Sequence, residues 1–132
     1  MEQESMNRHK VYFVEFMALH GKDHHAIYVV TDDVQKTGNL YHVIGSTLMG
    51  MEVEIKAFPY PEEKPTFKKK TLIGCVRKQD LSRVKETCLL IPPPRPQHHL
   101  NGKRIYPHEP LRTCQEWIQE VIEVLRRDSI IA

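Results

Sequence analysis

The chain has 132 residues, 40% hydrophobic and 27% charged, with a formal net charge of +2. One domain fills that length, and the composition excludes a fibre, a disordered chain and a strongly basic nucleic-acid binder. Three cysteines are an odd count and argue against a complete disulfide framework, while eight histidines leave room for imidazole chemistry.

Residues 1–10 are polar and read as a disordered N-terminal arm, followed by one domain over 11–132. No apolar leader is visible and no run approaches the ~18 apolar residues of a membrane span. The expected compartment is therefore the cytoplasm, where thiols stay reduced.

Residues 11–19 (VYFVEFMAL) are β-branched, aromatic or apolar and predict a buried strand. Gly21-Lys22-Asp23 signals a turn, and His24 to Val30 (HHAIYVV) is the second strand. Asp32, Asp33, Gly38 and Asn39 mark a loop. Leu40 to Ser46 is the third strand, Met51 to Phe58 alternates as a fourth, and Thr71 to Val76 is a fifth. Lys68-Lys69-Lys70 suits a solvated strand edge, where lysine discourages edge-to-edge pairing.

Asp80 predicts the start of a short helix over 81–90, which the prolines at 92, 93, 94 and 96 stop. Residues 92–110 lack periodicity and are expected to close over a site as a lid. Cys114, Trp117, Ile118, Val121, Ile122 and Leu125 then form one apolar helical stripe, with Pro110 placed in the first turn. The fold class is α+β: an antiparallel sheet of about five strands packed on a long C-terminal helix.

Cys114 at a helix start has free amide N–H groups and the positive dipole end beside it, which favour the thiolate. Nucleophilic use needs a histidine base and an orienting group. His24, Ala26 and Tyr28 share one strand face, and Leu40, His42 and Ile44 share another. If the helix covers those faces, His24 and His42 converge on Cys114. Cys75 and Cys88 read as core residues. His98, His99 and His108 read as loop residues, and no metal site is expected, since no zinc-type spacing occurs.

His24-His25-Ala26-Ile27-Tyr28-Val29, then His42-Val43, resembles the histidine strands of lecithin:retinol acyltransferase-like proteins. Thr113-Cys114-Gln115-Glu116-Trp117-Ile118 resembles their Asn-Cys-Glu-His-Phe-Val signature. The order His, His, Cys is that of the permuted papain-like fold, related to NlpC-type peptidases. The span from about 10 to 127 is also similar to a small fungal family of unknown function. The resemblance implies a cysteine hydrolase or acyl/amide transferase with Cys114 as nucleophile, His24 as base and His42 orienting it. His25, which stands where an aromatic is usual, is the alternative register for the base.

His25, Tyr28 and Trp117 would line the substrate pocket, and no cofactor is implied. The substrate would be a small-molecule or peptide amide or ester. The membrane-anchoring segment of the lipid-modifying members is absent. A homo-oligomer or a protein partner would complete the pocket of so small a domain. The alternative is a catalytically inactive papain-like binding or scaffolding module.

Overall fold

The computed structural model describes residues 7–132. Five antiparallel strands form one sheet in the order β4-β3-β2-β1-β5: β1 (Arg8–Phe16), β2 (His24–Asp32), β3 (Thr37–Ser46), β4 (Gly50–Pro59) and β5 (Phe67–Arg77). Two α-helices follow, α1 (Leu81–Leu90) and α2 (Cys114–Arg127). The architecture is α+β, as the hydrophobic periodicity predicts.

The expected arm over 1–10 is partly strand. Arg8, His9 and Lys10 pair with Arg77, Val76 and Cys75 of β5, and residues 1–6 lie outside the described residues. β3 and β5 also start earlier than expected, at Thr37 and Phe67. Polar Thr37 to Asn39 and Lys68 to Lys70 hide the pairing from a reading based on hydrophobicity. β5 is an edge strand, and its lysines sit on that edge in ion pairs, Lys68 with Asp23 and Lys70 with Glu62, each at 2.7 Å.

The middle of β2 is buried on both faces, and strict alternation splits it between two cores. Ile27 and Val29 join Val11, Tyr41 and Val43 beneath both helices, against Val84 and Cys88 of α1 and Trp117, Ile118, Val121, Ile122 and Leu125 of α2. Ala26, Tyr28 and Val30 join Val14, Phe16, Leu40 and Phe58 in a second core on the opposite face. Tyr60 and Phe67 pack against that second core, so the β4–β5 connection contributes to its cover.

α2 starts at Cys114, not at Pro110. Thr113 is its N-cap in a reciprocal capping box: Thr113 Oγ1 accepts from the Gln115 amide at 3.2 Å, and the Thr113 amide donates to Glu116 Oε1 at 2.7 Å. The sequence Thr-Cys-Gln-Glu is thus the local reason the helix begins where it does. At the other end the chain turns back, and Ala132 exchanges two backbone hydrogen bonds with Cys75 on the β5 edge (2.9 and 3.0 Å).

The proline-rich connection is fixed to the β3–β4 turn. The Met51 amide donates to the Pro94 carbonyl at 2.8 Å, and the Gln97 amide to the Thr47 carbonyl at 2.6 Å. The buried Gln97 side chain clamps Arg112 through both its backbone groups, at 2.8 and 2.7 Å. This clamp sets the approach of the chain to Thr113 and Cys114.

Candidate functional site

Strand parity decides which histidines meet the cysteine. His24 lies on the same face of β2 as Ala26 and Tyr28, stacked 6.1 Å from Phe16, and that face looks away from α2. His42, with Leu40, is on the same side of the sheet. The expected convergence of His24 and His42 on Cys114 therefore does not form. No hydrogen bond joins Cys114 to either ring among the described residues.

The two histidines are joined to each other instead. His24 Nε2 is 2.8 Å from His42 Nδ1, and His42 Nε2 is 2.7 Å from Glu54 Oε1. Glu54 is the direct β4 partner of His42 and a site residue the sequence reading missed. Counting back from the tight turn between Ser46 and Gly50 gives that pairing. Burial holds the His24 imidazolium down to a pKa of about 4, and it also lowers His42 despite the carboxylate beside it. The pair with Glu54 is thus a neutral imidazole donating to an ionised carboxylate.

His25 is the histidine on the helix-covered face. Its ring packs edge-on against Phe13 at 4.9 Å, and Phe13 packs against the core under the helices. Its Nε2 lies 3.8 Å from Glu15 Oε1, on the facing residue of β1. Its Nδ1 is buried with no hydrogen-bond partner among the described residues. Burial lowers the His25 pKa, opposed by Glu15, Asp23 and Glu116, so the ring is neutral at pH 7.

Cys114 is half-buried and packs on the same core. Its Sγ lies 3.9 Å from the Asp23 carbonyl, and the neighbouring Gln115 Nε2 donates to that same oxygen at 3.0 Å. The thiol therefore sits against the start of β2. Burial pushes its pKa up, opposed by the amide N–H groups of His25, Cys114 and Gln115. The helix start alone predicted a lowered value; desolvation at this position is the larger effect. Cys88 is pushed up to about 12 by burial, in keeping with a core role.

Tyr28 and Trp117 are not pocket walls. Tyr28 is buried in the second core and donates to the Phe58 carbonyl at 2.8 Å. Trp117 is fully buried beneath the helices, and its Nε1 donates to the Ile91 carbonyl at 3.1 Å.

A groove of about 980 Å³ runs beside the start of α2, lined by Lys22, Arg95, Gln97, Arg112, Glu116 and Glu120 among others. Residues of the connection expected to form a lid make one of its walls. His98 is tied to Thr47 Oγ1 at 3.0 Å. No group of three or more histidine, cysteine or acidic side chains able to hold a metal occurs among the described residues. Among them too, no helix is long and apolar enough to cross a membrane.

The model of a family of unknown function, DUF6540, matches residues 11–132. The chain belongs to DUF6540. The match takes in β2, the His25 and Glu15 pair and the whole of α2. No curated protein and no solved structure gives a match.

Proposed function

We propose that this DUF6540 chain is a cysteine-dependent hydrolase or acyl/amide transferase in which Cys114 is the nucleophile, His25 the base and Glu15 the group that orients it. One observation carries this reading. Cys114 of α2 packs against the start of β2, on the sheet face that holds His25, whose Nδ1 is buried with no hydrogen-bond partner among the described residues and whose Nε2 has a carboxylate 3.8 Å away. That is the order of roles a thiol nucleophile needs: thiol, imidazole, orienting acceptor.

Both partners rest uncharged, because burial raises the thiol and lowers the imidazole. The reaction then proceeds by general base catalysis. As Sγ bonds to the substrate carbonyl carbon, the thiol proton passes to His25 and the carbonyl electron pair moves to oxygen. In this reading the Cys114 amide at the helix start stabilises that oxyanion. Collapse expels an amine or alcohol that takes the proton from His25, leaving a thioester for water or a second amine to resolve. The substrate in this reading is a small-molecule or peptide amide or ester; the groove beside α2 reaches Glu116 of the same first turn, and neither Cys114 nor His25 lines it. A permuted papain-like fold and a cytoplasmic setting, where the three free thiols stay reduced, belong to the same proposal.

The raised thiol pKa is the observation that favours a second reading, a catalytically inactive binding or scaffolding module. Acylation separates the two. Incubation with p-nitrophenyl acetate at pH 7.5, followed by intact-mass and peptide analysis, is expected to give one acetyl group on Cys114 ahead of Cys75 and Cys88. Equal modification of all three cysteines, or none, supports the binding module.

A further inference from the structure

The sheet face that α2 leaves uncovered holds a second set of groups, none of which serves Cys114. Glu54 accepts hydrogen bonds from His42 and from Lys56, which hold its carboxyl below the usual range, so it is an acceptor only. His42 Nε2 must then carry the hydrogen of the 2.7 Å bond to Glu54. That leaves His42 Nδ1 as an acceptor, and His24 Nε2 must donate across the 2.8 Å gap. The chain of donors ends at His24 Nδ1, a bare lone pair with no partner among the described residues.

His24 and His42 line a cavity of about 180 Å³ with an apolar floor of Phe16, Leu40 and Phe58. Lys56 and Lys64 are at its edge. Their ammonium groups lie 5.7 and 5.4 Å from the centroid of the same Phe58 ring. Lys56 has Glu54 at 3.3 Å, whereas Lys64 has no carboxylate partner among the described residues. The cavity is thus lined by a histidine with a free acceptor, a lysine without a carboxylate partner and a second lysine shared with Glu54, over an aromatic floor. A dry cavity of about 150 Å³ is large enough for benzene, so one ring with two small substituents fits this volume.

We infer that this cavity binds a small hydroxylated carboxylic acid of about the size of hydroxybenzoate. Its hydroxyl donates to His24 Nδ1, its carboxylate pairs with Lys64 and Lys56, and its ring or chain lies on Phe58. The site shares no side chain with the Cys114 pair, so either proposal can fail without the other.

The test is a calorimetric titration of the full chain with 4-hydroxybenzoate, benzoate and phenol at pH 7, paired with imidazole ¹⁵N spectra. Saturable one-to-one binding of 4-hydroxybenzoate is expected, with benzoate and phenol each about tenfold weaker, the equivalent of about 1.4 kcal/mol per lost contact. Lys64→Ala is on the surface and threatens no core; it is expected to reduce 4-hydroxybenzoate to the affinity of phenol. The His24 Nδ1 resonance is expected to move with 4-hydroxybenzoate and not with benzoate. Binding that does not saturate in the millimolar range, equal affinity for all three probes, or an unchanged titration in Lys64→Ala would each overturn the assignment.

Discussion

Acidification from pH 7 to pH 4 is expected to remove about 3 kcal/mol of folding stability through His24 alone. The sign follows from which state binds the proton. In the unfolded chain His24 takes one up near its ordinary value of 6.5, whereas in the folded chain burial beside His42 delays uptake until about 4. Between those values the unfolded state holds more protons, so stability is complete above 6.5 and falls as the pH drops through the window. His42 and His25 are shifted in the same direction and add to the loss. Urea unfolding at a series of pH values measures it. His24→Gln is expected to flatten the slope between pH 6.5 and 4, and an unchanged slope would show that another group controls it.

Trp117→Ala is expected to cost about 3–5 kcal/mol, enough to bring a domain of ordinary stability close to unfolding. The indole is the largest fully buried side chain of the fold and is central to the core between the sheet and both helices. Its hydrogen bond to the Ile91 carbonyl also joins α2 to the residue that ends α1, and truncation would leave that oxygen without this donor. The expected result is a lower denaturant midpoint with an unchanged slope, and a far smaller loss for Trp117→Phe. A substrate-pocket role for Trp117 would give the reverse, with substrate affinity altered and the midpoint kept.

Local signals placed most of the architecture. The stripe from Cys114 to Leu125 marks α2, Asp80 marks the start of α1, and alternation marks the strands. The face assignment was not legible, for a physical reason. Ala26 to Val30 are all buried, so period-two alternation in β2 separates two faces without telling which one a helix covers. His24 and His42 share faces with Tyr28 and Leu40, as alternation predicts, but those faces belong to the second core. In the sequence His25 stands out only as a pocket residue and as the alternative register for the base.

Residue type alone does not single out Glu15 or Glu54, because each is separated from its histidine by a turn. Pairing across Gly21 places Glu15 opposite His25, and pairing across the Ser46–Gly50 turn places Glu54 opposite His42. Hairpin register therefore held information that residue type did not. The thiol's raised pKa was equally out of reach, since it depends on how deeply Cys114 settles against the Asp23 carbonyl.

In the proposed mechanism Cys114 is served by the histidine on its own side of the sheet. The most direct measurement is the rate of Cys114 acetylation by p-nitrophenyl acetate in His25→Ala and His24→Ala, side by side. His25→Ala is expected to slow it by about 10²–10⁴-fold, the usual worth of a positioned base, with partial rescue by added imidazole. The loss in His24→Ala is expected to be far smaller. A collapse in His24→Ala with His25→Ala still reactive would contradict the account.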